Sequence, residues 1–167
     1  MSLKFRIEQK DEFRVVGYVI HTTNEKDKCR NDVPSLWGNV IQQGKLNDLF
    51  TMANESPAGV LGISSYNTDP EDNKKFNYYI ACATNKAVPE EMVEYTVPAA
   101  TWAVFPCKRD EIASVEIQIV NDWAPKSEYE LINKGYETGK MQSGAPDMEL
   151  HLLDSTSEVW IAVRKKS

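Results

Sequence analysis

The chain has few of the residues that build disulfide frameworks and metal sites. Its 167 residues include three cysteines, Cys29, Cys82 and Cys107, an odd number without a CxxC spacing. We therefore expect reduced thiols and neither a disulfide framework nor a zinc site. The two histidines, His21 and His151, are too few for a histidine-rich metal site. No metal or other cofactor is expected.

The sequence also lacks an excess of basic residues and any long apolar run. Acidic side chains outnumber basic ones by 25 to 19, which gives a formal net charge of -6 at pH 7. Nucleic-acid binding needs a basic face that neutralises phosphates, so direct binding to DNA or RNA is not expected. Without a membrane-spanning run or a signal peptide, we predict a cytoplasmic protein with no membrane association. We expect it to be a monomer or a weak dimer.

What the sequence does contain is one order of elements that occurs twice. The first half predicts strands at 3–9 and 13–21 and a helix with Asp32 as its N-cap. Two more strands follow in the segments 58–67 and 75–84, joined by a turn-rich stretch. The first half therefore reads strand, strand, helix, strand, strand.

The second half repeats this order. Strands are predicted in segments 91–98 and 100–107, a helix from about Asp110 to Trp123, and a closing hairpin over 146–166. Even the last strands are alike, since "YIAC" in the first half matches "WIAV" in the second. Two such copies predict an α+β fold with pseudo-twofold symmetry and an antiparallel sheet.

The closing hairpin brings unusual residues together. A loop of four residues, 154–157, would set His151 opposite Trp160. Because paired residues share a face, Glu149, His151 and Trp160 are expected to lie on one side of the sheet. The plain alternative is a solvated face, which is common in antiparallel sheets but unusual for a tryptophan.

The seam between the two copies is the expected ligand site, because such seams leave a groove. Tyr79 is expected to occupy the place that Trp160 has in the other half, on the face of the acidic position. Gly62 is expected to stand roughly where Glu149 does, which makes the groove small on one side and acidic on the other. Tyr18 and Trp102, on the second strand of each half, could point into the groove or away from it. Trp37 and Trp123 are expected to belong to the core, and Tyr66 and Tyr78 to contribute only weakly to the groove.

Four segments in order carry a family resemblance: "VPSLWGNVIQQG", "VPEEMVEYTVPAATWAVFP", "NDWAPKSEYEL" and "PDMELHLLDSTSEVWIAVRKK". They resemble the GyrI-like family, which includes the effector-binding domains of AraC-type and MerR-type regulators. The resemblance covers nearly the whole chain and implies a single domain over 1–167, with pseudo-repeats at about 3–85 and 90–166. A strand begins by about Lys4, so we expect no preceding helix-turn-helix domain and no direct role as a transcription factor.

The resemblance implies a ligand groove between the copies, in which a glutamate surrounded by aromatic rings binds hydrophobic, often cationic molecules. By its place in "PDMEL", Glu149 matches that glutamate. The resulting candidates are Glu149, Trp160, Tyr79, Trp102, Tyr18 and His151. Drug sequestration or regulation would follow from such binding.

Two alternatives to ligand binding stay open. The sequence has no Ser-His-Asp elbow, no metal-ligand set and no phosphate loop. A glutamate in an apolar pocket would nevertheless be a competent general base in a small-molecule hydrolase, because burial raises its pKa. An acidic surface could instead make the chain a protein inhibitor of a topoisomerase.

Overall fold

The computed structural model describes residues 3–66, 71–72, 74–132 and 145–167. Within these ranges the helices are α1 (Cys29–Gln42), α2 (Lys45–Met52), α3 (Ile112–Gln118) and the short α4 (Ala124–Lys126). The strands are β1 (Arg6–Lys10), β2 (Phe13–Thr23), β3 (Val60–Ser65), β4 (Lys75–Ala83), β5 (Val93–Val97), β6 (Ala100–Lys108), β7 (Tyr129–Leu131), β8 (Asp147–His151) and β9 (Thr156–Lys165). None of the helices in the described ranges has the length and apolar character that a membrane span requires.

The strands form one antiparallel sheet whose order reveals the duplication. The order is β1-β6-β9-β8-β3-β4-β2-β5, with β7 paired to β9. Exchanging the strands of the first half with those of the second gives the same order read from the opposite edge. The first strand of each half pairs with a strand of the other half: β1 pairs with β6, and β5 pairs with β2. The predicted α+β class with duplicated modules and an antiparallel sheet is confirmed.

The helices lie close to their predicted positions. Helix α1 begins at Cys29, before the predicted cap, and Asp32 instead accepts hydrogen bonds from Thr22 Oγ1 at 2.8 Å and Lys28 Nζ at 2.5 Å. In the second half, α3 continues as a π-helical segment, Ile119–Trp123, and then directly as α4, so the helical stretch extends three residues beyond the predicted end at Trp123. Both helical regions pack on the same face of the sheet.

Because side chains alternate between the two faces along each strand, the sheet has a separate hydrophobic core on each face. One face of the sheet packs on α1 and α2 in the first half and on α3 in the second. The other face forms a cluster to which no helix of the described chain contributes. Tyr78 belongs to the helix-covered face and its neighbour Tyr79 to the opposite one. Neighbouring residues on one strand therefore have separate environments.

A short turn joins β8 to β9. Residues 153–155 connect the strands, and the amide of Leu152 donates to the carbonyl of Thr156 at 3.0 Å. The amide of Ser155 donates to the carbonyl of Leu152 at 3.3 Å, and Ser155 has φ of 72°. This is a type I turn followed by one left-handed residue, a common three-residue hairpin loop. The predicted loop of four residues is wrong.

The shorter loop changes the face on which Trp160 lies. Trp160 pairs with Met148, and Glu149 pairs with Val159, whereas the sequence predicted a pair between His151 and Trp160. The register differs by three residues, and an odd shift moves every side chain of one strand to the other face. The expectation that Glu149 and Trp160 share a face is therefore wrong.

A glycine substitution on β2 tests the close packing of the sheet. The added Cβ of Gly17→Ala would overlap backbone atoms of Ile80 and Ala81 on β4, which cannot move aside cheaply. We expect a loss of about 1–3 kcal/mol in the free energy of unfolding. Gly38→Ala in α1 is the matched control, because nothing lies within 4 Å of its Cβ. It should gain about 0.5–1 kcal/mol. Urea denaturation of both variants measures the difference, and equal effects would contradict the packing described here.

Candidate functional site

A cavity of about 420 Å³ lies over the seam where the two halves meet. Its floor includes residues of β3 and β8, which pair directly, with Gly62 opposite Glu149. Helix α1 forms one wall, and Glu116 of α3 faces it from the other. We call this cavity the acidic chamber. It is lined by Asn24, Cys29, Arg30, Val33, Pro34, Trp37, Gly62, Ser64, Tyr66, Phe76, Tyr78, Glu116, Asp147, Met148, Glu149 and Ile161.

Three carboxyl groups come together in the acidic chamber. Asp147 and Glu149 are two residues apart on β8, so both side chains lie on the helix-covered face, where Glu116 approaches from α3. Burial, the charge of Glu149, hydrogen bonding to Glu149 and the charge of Asp147 raise the pKa of Glu116 to about 9. Glu116 is therefore protonated at neutral pH.

The missing side chain at Gly62 makes room for a phenol beside these carboxyl groups. A Cβ at Gly62 would overlap the hydroxyl of Tyr78 and would lie 3.5 Å from Oε2 of Glu149. Tyr78 is buried, and burial together with the charge of Glu149 raises its pKa well above the usual range. Its hydroxyl accepts a hydrogen bond from Nε1 of Trp37 at 2.9 Å. A glycine on the seam thus permits the contact that fixes the tryptophan.

Aromatic rings form much of the remaining wall. Tyr66 and Phe76 stack with a centroid separation of 4.9 Å, and Trp37 and Tyr78 lie nearby in the lining. Ring faces attract cations, most strongly where water is excluded. The chamber therefore combines negative groups with flat apolar surface.

His151 lies on the same face as Glu149, as the sequence predicted. Its Nε2 is 3.7 Å from Oε2 of Glu149, an ion pair only when the imidazole is protonated. Nδ1 lies 3.3 Å from Oγ of Ser157, and the ring meets Trp37 edge-on at a centroid separation of 5.0 Å. The side chain is buried and does not line the acidic chamber, so the alternative of a solvated face does not hold at this residue.

Three predicted site residues lie on the opposite face of the sheet. Trp102, Tyr79 and Trp160 all belong to the cluster that contains no helix residue. Trp160 meets Trp102 edge-on at 5.9 Å, and Tyr79 stacks on Tyr95 at 4.7 Å. These three side chains therefore do not line the acidic chamber, because strand alternation and the β8–β9 register direct them away from Glu149.

Tyr18, a candidate site residue, does not line the acidic chamber, whereas Trp37, which was expected in the core, does line it. Tyr18 lies on the helix-covered face but outside the chamber lining, with Nζ of Lys45 4.9 Å above its ring. Trp37, expected only in the core, packs against the core with one part and lines the chamber with another. Phe76 and Tyr78 are two residues apart on β4, so the sequence alone indicates that their rings lie on one face of the sheet. Only the strand register shows that this face lines the acidic chamber.

Replacing Glu116 should stabilise the protein in a pH-dependent way. The raised pKa means that, from about pH 5 to pH 9, the unfolded chain releases this proton while the folded chain keeps it, so stability falls as pH rises. Glu116→Gln removes this loss, and we expect a gain of about 1–3 kcal/mol near pH 7.5 that vanishes near pH 4. Urea denaturation across this range measures it. A pH-independent difference would contradict the raised pKa.

Comparison with known proteins identifies the family and the fold. The model of the Cass2 family, described as integron-associated effector binding protein, matches residues 6–163. No curated protein matches the chain.

Three solved structures share the fold at low sequence identity. A candidate transcription regulation protein from Staphylococcus aureus MU50 has 18% identity and a TM-score of 0.73, covering 98% of this chain and 99% of its own. SAV2435, solved with tetraphenylphosphonium bound, has 19% identity and a TM-score of 0.73, covering 97% and 94%. An integron cassette protein from Vibrio cholerae has 18% identity and a TM-score of 0.61, covering 96% and 95%.

These matches confirm the resemblance to GyrI-like effector-binding domains that four segments of the sequence carried. The chain therefore belongs to the Cass2 family of integron-associated effector-binding proteins.

Proposed function

We propose that the acidic chamber binds a lipophilic cation, with Glu149 as the principal counter-charge and the aromatic wall as the contact surface. The observation that carries the proposal is the convergence of Glu116, Asp147 and Glu149 on one cavity that aromatic rings also line. The raised pKa of Glu116 agrees with this crowding of carboxyl groups. A carboxyl group keeps its proton at neutral pH when its surroundings cannot stabilise another negative charge. Among the described residues that line the chamber, the one guanidinium is that of Arg30, which is 80% exposed and pairs with Asp27 at 3.7 Å.

The physical balance favours a large apolar cation over a small hydrated one. At about 4 Å and an effective dielectric near 20, a cation and a carboxylate attract by roughly 4 kcal/mol. A desolvated ring contact adds roughly 0.5–2 kcal/mol. Entering the chamber costs a strongly hydrated ion its water shell, whereas a lipophilic cation has little hydration to lose. The rings of such a cation would pack on Trp37, Phe76 and Tyr78.

The similar protein SAV2435 supports this ligand class, because its structure was solved with tetraphenylphosphonium bound. That ligand is a cation surrounded by phenyl rings. The acidic chamber offers the complementary groups: carboxyl groups for the charge and aromatic side chains for the rings. In the described part of the chain, no three His, Cys, Asp or Glu side chains are placed to hold a metal ion.

Glu149→Gln should separate charge recognition from shape recognition. We expect it to weaken methyltriphenylphosphonium by roughly 1.5–3 kcal/mol, the range for a charge-assisted contact, which is about 10- to 150-fold in Kd. Triphenylphosphine oxide, a neutral molecule of similar shape, should lose less than about threefold. Calorimetric titration of both compounds against both proteins gives the comparison.

A matched control removes a charge elsewhere. Glu94 pairs with Arg14 at 2.8 Å on the exterior and does not line the chamber. Glu94→Gln should leave the affinity for both compounds unchanged. Equal losses for the cation and the neutral compound in Glu149→Gln would assign Glu149 a structural role and refute the proposal.

Cation binding should also release a proton. The charges facing Glu116 are those of Glu149 and Asp147, with the phenols of Tyr66 and Tyr78 also nearby. An added cation lowers the pKa of Glu116, so affinity should rise with pH from that lowered pKa up to about pH 9 and then level off. Titrations at pH 7.5 in phosphate and in Tris, whose ionisation enthalpies differ, measure the protons released.

The corresponding variant is Glu116→Gln. It should abolish the dependence of the binding enthalpy on the buffer and flatten the pH profile of Kd between pH 6 and pH 9. If wild type and Glu116→Gln release the same number of protons, Glu116 is not the group that titrates.

A further inference from the structure

A second cavity of about 450 Å³ continues the groove along the sheet. Trp37 and Glu149 line both cavities, so the two cavities are neighbours. The second cavity lies between α1 and α2 on one side and the start of α3 on the other. Its apolar walls, which define what we call the apolar chamber, are Ile41, Leu46, Phe50, Ile112 and Ala113.

The apolar chamber differs from its neighbour in chemistry. Aliphatic and aromatic side chains form most of its lining, and Arg109, Asp110, Glu149 and His151 complete it. Glu116 and Asp147 line only the acidic chamber. Arg109 lies at its edge, where Nη2 donates to the backbone carbonyl of Leu152 at 2.9 Å. Ile41 leaves 57% of its surface exposed, among the largest exposures of an apolar side chain in the described chain. Apolar surface of this kind beside a ligand cavity favours contact with an apolar group.

Trp37 is held in place between the chambers. Its indole nitrogen donates to the hydroxyl of Tyr78 on the acidic side, and its ring meets His151 edge-on on the other. A ligand that occupied both chambers would cross beside this ring and above Glu149. The charge of such a ligand would stay near the carboxyl groups, and the part beyond Trp37 would meet apolar side chains.

The geometry points to an amphipathic cation as the ligand: an aromatic, positively charged head in the acidic chamber and an unbranched apolar tail in the apolar chamber. This inference rests on the proposed function of the acidic chamber and specifies its ligand class. A compact cation would fill one chamber only. A tailed cation gains affinity for each methylene that leaves water, up to roughly fourfold per methylene.

Alkyltriphenylphosphonium ions test this, because the head stays constant while the tail grows from methyl to butyl, hexyl and octyl. All are used below the concentrations at which they form micelles. For the wild-type protein, Kd should fall about two- to fourfold per added methylene until the chamber is filled. The methyl compound reports on the head site alone.

Two variants locate the tail, and one serves as a matched control. Ile41→Ser removes apolar wall, and Ala113→Phe fills the chamber from α3; each should reduce the gain from methyl to octyl at least tenfold. Ile117→Ser is the control, because Ile117 is 61% exposed, much like Ile41, but lines neither chamber. It should keep the full gain.

The outcomes separate the inference from the proposed function. If the methyl compound does not bind, the proposed function fails and the inference falls with it. If the methyl compound binds but tail length has no effect, the inference alone is overturned. It is likewise overturned if the gain persists in Ile41→Ser and Ala113→Phe, or is lost equally in Ile117→Ser. Loss in the first two with retention in the third supports a tail in the apolar chamber.

Discussion

The pairing of β3 with β8 is the constraint on which the groove depends. It joins the two halves of the sheet and sets Gly62 directly opposite Glu149. Because Gly62 has no side chain, the hydroxyl of Tyr78 fits beside the carboxylate, and Trp37 then bonds to that hydroxyl. A larger residue at this position would displace the phenol and release the indole. One pair of residues on the seam thus makes room for Tyr78 and, through its hydroxyl, positions Trp37, which lines both chambers.

The acidic chamber places carboxyl groups where folding alone would not favour them. Partial burial and the nearby charges of Glu149 and Asp147 raise the pKa of Glu116, so it keeps its proton. Such an arrangement lowers stability at neutral pH, and a cation bound there would offset that loss. Binding sites commonly hold groups in environments that favour the complex over the free protein. The same electrostatics that destabilise the empty chamber would therefore select the charge of its ligand.

The duplication accounts for the symmetric sheet, and the differences between the two copies account for the residues that line the groove. The sheet order is the same from either edge, and each half contributes helices to the same face. The halves nevertheless differ where they meet, since β3 presents Gly62 and Ser64 while β8 presents Asp147 and Glu149. A symmetric frame thus encloses an asymmetric groove, with aromatic rings from the first half and carboxyl groups from the second.

The sequence by itself determined the element order, the duplication, the family and the position of Glu149. These follow from hydrophobic periodicity and from four family-like segments that occur in a fixed order along the chain. It also placed Glu149 and His151 on one face, since residues two apart on a strand share a side. Only the tertiary structure decided which aromatic residues join them. A three-residue turn at 153–155 in place of four shifted the register by an odd number and turned Trp160 away. Trp37, Glu116 and Tyr78 came together through helix docking and strand pairing between segments far apart in the chain, which local patterns do not specify.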